Sequence, residues 1–248
     1  MLKIHHYLDS TYLKTAQQAA ITDEATLETV SSLIEEAIVY DFKLVMLRPR
    51  FVQLAKKMIL QSESNVGVGT VIGFHEGTPS IQEKLKEAQQ AINDGADELD
   101  FVINYTAFLN QELALVKEEV RKGTQLAINN DKIVKWIIEI AALTNDQIVA
   151  ITQLIRDVVL THFDKKQAQT VFVKSSTGFY KTNNTKPNGA TLEAMQLIVT
   201  NAAPLQAKAA GGVRTYEDAL KMIKLGVTRI GTSSAKALIE KQQTKKNY

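Results

Sequence analysis

The chain of 248 residues contains no cysteine. That absence excludes disulfide staples, thiolate zinc sites, iron–sulfur clusters and cysteine nucleophiles together, because each needs a sulfur atom. An excess of one charge is also missing: 29 Lys and Arg stand against 27 Asp and Glu, a formal net charge of +2. Spread over a whole chain, so small an excess does not supply the phosphate neutralisation of duplex binding, and no nucleic acid partner is expected. Long apolar runs are lacking. The most apolar stretch, Ile133 to Leu143, carries Lys135 and Glu139 and falls short of the roughly 20 apolar residues of a membrane span. No apolar segment of signal-peptide type follows Met1-Leu2-Lys3-Ile4-His5-His6, so the reading is a soluble cytoplasmic protein with no membrane partner. The four prolines, Pro49, Pro79, Pro187 and Pro204, are scattered and form no linker. One domain over residues 1–240, followed by a polar tail at 241–248, is the organisation expected.

What is present is an alternation. Short β-branched runs at 6–9, 44–48, 66–74, 98–104, 133–140, 170–176, 205–210 and 228–232 are each followed by a loop and a stretch of helical periodicity. Strands such as Val66-Gly67-Val68-Gly69-Thr70-Val71-Ile72 are apolar on both faces, as parallel strands between a lumen and outer helices should be. Gly95 and Gly226 stand where left-handed residues would end two of the helices, and Thr144-Asn145-Asp146-Gln147 reads as a capping box. Eight βα units in about 250 residues predict the α/β fold class, a single-domain (β/α)8 TIM barrel.

Charges interrupt four of these apolar strands: Asp100, Lys135, Lys174 and Lys208. Burying an unpaired charge is expensive, so each calls for a reason. If the luminal face carries them, a neighbouring cation and poor solvation both favour a neutral lysine. A neutral lysine attacks carbonyls, and the protonated imine that forms draws electrons from an adjacent carbon–carbon bond, which is the chemistry of class I aldolases. Structural ion pairs, or strand-end lysines reaching solvent, are the alternative for any one of these charges; four together favour function. Strand alternation also places Glu139 on the face of Lys135.

Two turns look built for an oxyanion. Gly211 and Gly212 follow the seventh strand and open a helix, and Gly231, Ser233 and Ser234 follow at the eighth. Glycines let backbone N–H groups approach a phosphate, and barrels commonly bind one after strands seven and eight. Gly178, after the sixth strand, would close a third side. A phosphorylated small molecule is the expected ligand.

The segments Gly95-Ala96-Asp97-Glu98-Leu99-Asp100-Phe101-Val102-Ile103-Asn104, Val173-Lys174-Ser175-Ser176-Thr177-Gly178-Phe179 and Lys208-Ala209-Ala210-Gly211-Gly212-Val213-Arg214-Thr215 resemble the deoxyribose-phosphate aldolases. The resemblance runs over nearly the whole chain, from Leu8-Asp9-Ser10-Thr11 to Arg229-Ile230-Gly231-Thr232-Ser233-Ser234. It implies a metal-free barrel without cofactor that cleaves 2-deoxy-D-ribose 5-phosphate to D-glyceraldehyde 3-phosphate and acetaldehyde. Lys174 would form the Schiff base, Lys208 would depress its pKa, and Asp100 would handle protons through water. Lys135 would help polarise the pocket with Glu139 paired to it, and Asp9 and Thr11 would contact substrate or water unless they make a turn. A homodimer is implied as the assembly.

Departures from the family pattern include Met46, read as core packing, and Arg48, read as a surface charge at a strand end. The stretch 180–189 is longer than the family's loop and is read as a solvated insertion carrying Lys181 and Lys186. A flexible tail could bring the Tyr248 phenol to the barrel mouth as a proton relay, but a frayed end is the commoner explanation and the one preferred. His5, His6, His75 and His162 show no metal-site spacing, and the neighbours His5 and His6 would point apart in an extended chain, so no metal is expected. An imine-forming aldolase for another phosphorylated sugar, or a noncatalytic sugar-phosphate-binding barrel, remains as an alternative.

Overall fold

The computed structural model describes residues 3–182 and 187–240. Eight parallel strands close into one barrel in chain order, each hydrogen-bonded to the next and the last to the first. They are β1 (Leu8–Tyr12), β2 (Leu44–Leu47), β3 (Gly67–Ile72), β4 (Glu98–Val102), β5 (Ile133–Ile137), β6 (Val171–Lys174), β7 (Gln206–Ala210) and β8 (Arg229–Thr232). Helices on the outside connect them, as right-handed parallel crossovers require. Among the described residues no helix is long and apolar enough to cross a membrane. The tail at 241–248, with Tyr248, lies outside the described residues, as do 183–186 with Lys186.

The first strand is displaced from its expected place at 6–9. Residues Ile4–Tyr7 form a 3-10 turn, and the strand begins at Leu8. The other strands keep their expected places; β2 to β6 end earlier, where the last residues of each apolar run turn over the barrel rim, whereas β7 and β8 end at Ala210 and Thr232 as expected.

Local chemistry accounts for the helix boundaries. Thr144 and Gln147 form the expected reciprocal capping box at the start of Asn145–His162, and Ser80 and Glu83 form another at Ile81–Asn93. Gly95 and Gly226 both take φ of +103°, the left-handed conformation that ends a helix without a Cβ clash.

The main core lies between the sheet and the helices, with Trp136, Phe101, Ile34 and Met195 fully buried there. A second, small cluster of Leu13, Leu44, Met46 and Val71 fills one side of the lumen. Gly69 makes room for it: a Cβ there would stand 2.6 Å from Met46 Cε and 2.7 Å from Leu44 Cδ2. Met46 is thus packing inside the barrel. The remaining lumen is charged.

Candidate active site

Parallel register sets the charged residues side by side. Asp100 on β4 is the lateral partner of Lys135 on β5, and Lys174 on β6 is the partner of Lys208 on β7. All four are buried, and their side chains converge across the barrel. Asp100 Oδ1 accepts from Lys135 Nζ at 2.6 Å, while Oδ2 accepts from Lys174 Nζ at 2.8 Å and from Lys208 Nζ at 2.9 Å. One carboxylate therefore holds three ammonium groups.

The network extends to residues that the sequence reading left aside. Arg229 on β8 donates to Asp9 Oδ1 through Nε at 2.8 Å and to Glu98 Oε1 through Nη1 at 2.9 Å. Because β8 and β4 lie on opposite sides of an eight-stranded ring, the Arg229–Glu98 pair crosses the interior. Glu98 also pairs with Lys135 at 2.5 Å, and Asp9 with Lys208 at 2.6 Å. The lumen thus holds Asp9, Glu98 and Asp100 facing Lys135, Lys174, Lys208 and Arg229. Strand periodicity carried this signal, since Glu98 stands two residues before Asp100 and Arg229 two before Gly231.

Three carboxylates facing four cations favour losing one proton, and the environment selects which. Burial pushes the Lys174 ammonium down to about 8 against the pull of Asp100, and the nearby Lys208 and Lys135 charges push the same way. Lys135 is moved up instead: burial opposes its charge, but Asp100 and Glu98 outweigh burial. Burial alone would raise Asp100, yet the ammonium groups of Lys135, Lys174 and Lys208 hold its carboxyl well below the usual range. Lys174 ends β6, where its side chain is 4% exposed, while those of Lys135 and Lys208 are fully enclosed. The amine at the open end is thus one that burial makes easier to neutralise.

Glu139 departs from its expected pairing with Lys135. It lies past the end of β5 in a left-handed conformation, φ +55°, so strand alternation no longer directs its side chain. Its Oε2 accepts from Thr177 N at 3.2 Å and from the Thr177 hydroxyl, tying the β5 rim to the loop after β6. Burial raises this carboxyl to about 7, although the Thr177 hydrogen bonds and Lys174 pull it down. Thr11 turns its hydroxyl onto Asp9 O at 2.9 Å, whereas Asp9 belongs to the luminal network and makes no turn.

The expected phosphate glycines meet at the same end. Gly178, Gly211 and Gly212 have φ of +82°, +73° and +78°. They are joined by Gly189, which the sequence reading placed in a solvated insertion. Ala190 N donates to Ala210 O at 3.1 Å, and a Cβ on Gly189 would lie 2.5 Å from Gly211 C, so this part of 180–189 packs onto the loop after β7. The β7 and β8 loops are linked by Thr232 Oγ1, which donates to Val213 O at 3.2 Å and accepts from Ser234 N at 3.1 Å. This link ties Ser234 through Thr232 to Val213, the residue after Gly212. Gly231 lies within β8, where a Cβ would meet Lys208 Cε at 3.2 Å; its absent side chain makes room for Lys208.

An apolar wall faces the lysines. Phe74 and Phe179 pack edge to face at 5.0 Å over Leu13, Leu44, Met46 and Val71. Arg48, expected as a surface charge, is half-buried: its Nε donates to Leu13 O at 2.8 Å and its guanidinium lies 4.7 Å from the centre of the Phe74 ring. It braces that wall.

Far from this site, at the N-terminal ends of the strands, the expectation for the histidine pair also fails. Because residues 4–7 turn instead of extending, His5 and His6 both approach Asp41.

Comparison with known proteins gives a consistent result. The chain is 36% identical over 250 residues to the deoxyribose-phosphate aldolase of Mycoplasma capricolum, covering 100% of this chain and 99% of the relative. It is 38% identical over 239 residues to that of Thermococcus kodakarensis, covering 96% of each. Among solved structures, the tetrameric deoxyribose phosphate aldolase of Aeropyrum pernix superposes with a TM-score of 0.75 at 29% identity, over 96% of this chain and 89% of that one. Residues 6–238 match the family described as DeoC/LacD family aldolase. With a match of that extent laid over a barrel whose open end carries a buried amine of lowered basicity, the chain belongs to the DeoC/LacD family of aldolases.

Proposed function

We propose that the protein is a class I aldolase that reversibly cleaves 2-deoxy-D-ribose 5-phosphate to D-glyceraldehyde 3-phosphate and acetaldehyde, with residues 1–240 as the catalytic unit. The observation that carries this reading is the Lys174 amine, buried and weakened in basicity, sharing Asp100 Oδ2 with Lys208. Lys174 Nζ adds to the C1 carbonyl, and loss of water gives a protonated imine. The C3 hydroxyl proton leaves to a water held by Asp100 and Lys208. The C2–C3 bond then breaks and its electron pair passes to the iminium, forming an enamine as D-glyceraldehyde 3-phosphate departs. Protonation of C2 and hydrolysis of the iminium release acetaldehyde and free Lys174.

Asp100 is held too strongly ionised to be the resting proton carrier, so its part is to fix the ammonium groups and the water. Lys135 and Asp9 hold the deeper charges. Backbone donors at Gly178, Gly211 and Gly212, with Ser233 and Ser234, receive the phosphate, and the Phe74–Phe179 wall receives the two-carbon end of the substrate. No cofactor or metal takes part in this scheme. Phosphorylated sugars do not cross membranes unaided, which supports a cytoplasmic site of action, and the tetrameric Aeropyrum pernix relative supports a homo-oligomer, with a homodimer as its simplest form.

The test is turnover. With 2-deoxyribose 5-phosphate, equimolar acetaldehyde and D-glyceraldehyde 3-phosphate are expected, and unphosphorylated 2-deoxyribose should react with kcat/KM lower by about 100-fold, the equivalent of one strong set of charged hydrogen bonds. Gly211→Ala forces φ of +73° on a residue with a Cβ and presses that Cβ to 3.0 Å from Gly189 Cα. This variant should raise KM for the phosphorylated substrate and leave turnover of 2-deoxyribose unchanged. Absence of both products from the wild type, or equal reaction of the two sugars, would count against the reading.

Glu139 supplies a separate expectation. If its carboxylate sets Thr177 and hence Gly178 for the phosphate, Glu139→Gln weakens charge-assisted bonds to the loop and raises KM by about tenfold with little change in kcat. The pH dependence set by Lys174 should persist. A fall confined to kcat would instead place Glu139 in proton transfer.

A further inference from the structure

We propose that His5, His6 and Asp41 form a binding site for one divalent transition-metal ion, Zn2+ in the first instance, at the barrel end opposite the lysines. His5 Nε2 lies 4.0 Å and His6 Nε2 3.0 Å from the same oxygen, Asp41 Oδ2. The three candidate ligand atoms all lie within 4.8 Å of one another. Tetrahedral zinc with bonds near 2.1 Å spaces its ligands by about 3.4 Å, so small rotations of the two rings complete the geometry.

The backbone beneath these ligands is already fixed. The turn at Ile4–Tyr7 brings adjacent histidines to one side, with ring centres 4.2 Å apart. Asp41 follows the helix Asp23–Val39 with φ +50°, and Lys43 N donates to His5 O at 3.1 Å, stitching the two segments together. Ile4 and Phe42, the neighbours of the ligating residues, are buried and anchor both sides. The ligand side chains are 28%, 47% and 63% exposed for His5, His6 and Asp41, leaving room for waters to fill the remaining positions.

Two imidazoles and one carboxylate suit zinc and its neighbours better than magnesium or calcium, which prefer oxygen alone. The ligands precede β1 and β2, whereas Lys174 ends β6, so an ion here is structural: it clamps the first turn to the corner before β2 and stabilises the folded chain by mass action.

The test is titration of the metal-free full chain with ZnCl2 by calorimetry, with Tm measured in parallel. One ion per chain, an upward shift in Tm, and no competition by MgCl2 are expected. His6→Ala and Asp41→Asn should each weaken the affinity by at least about tenfold, the scale of losing one ligand or its charge. Asn tolerates the left-handed backbone of Asp41, so that variant keeps the corner intact. His162→Ala should bind as the wild type does, and aldol turnover should be the same in all three variants. Absent or non-stoichiometric binding, or affinity unchanged in both His6→Ala and Asp41→Asn, overturns the proposal.

Discussion

Lys174→Ala is expected to remove turnover of 2-deoxyribose 5-phosphate by about 10^4-fold or more, because the covalent route runs through that amine. Borohydride reduction of the wild type with substrate should fix a two-carbon or five-carbon adduct on Lys174, visible by intact mass and peptide mapping, and the variant should show none. The fold should survive. Lys174 is one of four cations facing three luminal carboxylates, so its loss leaves Asp9, Glu98 and Asp100 matched by Lys135, Lys208 and Arg229. A Tm within a few degrees of wild type is therefore expected, which separates lost chemistry from lost structure. The same amine sets the pH dependence. With Lys174 near 8 the reactive neutral form declines tenfold per pH unit below that value, so kcat/KM at pH 6 should be about 1% of its plateau. A profile flat from pH 6 to 9, or an adduct on Lys208, would move the nucleophile elsewhere.

The barrel and its lysines were legible in the sequence because both depend on local pattern. Eight short β-branched runs separated by helical periodicity admit few folds, and a lysine inside such a run is conspicuous at once. Arg229 was less visible because it opens its strand and reads equally well as part of a phosphate turn. Its partners Asp9 and Glu98 are 220 and 131 positions away, and pairing across a lumen leaves no trace in spacing. Glu139 was misassigned because alternation was extended past the end of β5, where φ +55° breaks it. Lys84 shows the same difficulty on a helix. It reads as part of a charged face, yet its place at i with Ala88 and Ala91 at i+4 and i+7 puts it on the buried stripe. There it donates to Gly77 O at 2.6 Å and Val102 O at 2.8 Å and pairs with Glu119, closing the loops after β3 and β4. Periodicity identifies a face; it does not say which charges that face has been built to satisfy.

Asp100→Asn should be the most destabilising single change in the lumen. The carboxylate accepts from Lys135, Lys174 and Lys208 while fully buried, and breaking one buried pair by removing a partner costs about 3–5 kcal/mol. An amide of the same size offers one weaker acceptor and turns an N–H donor toward an ammonium group, so the cations left behind are less stabilised than before. For a chain of this size the loss corresponds to a fall in Tm of roughly 6–20 °C. The deficit should depend on pH, and its sign follows from the lysines. Lys174 is already lowered to about 8, and without the Asp100 anion it falls further below the unfolded value near 10.4, so between those limits the unfolded chain binds more protons and stability rises with pH. Thermal melts of the variant should accordingly recover part of the gap to wild type on going from pH 7 to 9. Activity should fall as well, since Lys208 and the water lose the anion that positions them. If Asp100→Asn melts with the wild type at pH 7, the carboxylate is not what holds the three ammonium groups together, and the account of the electrostatics around Lys174 fails with it.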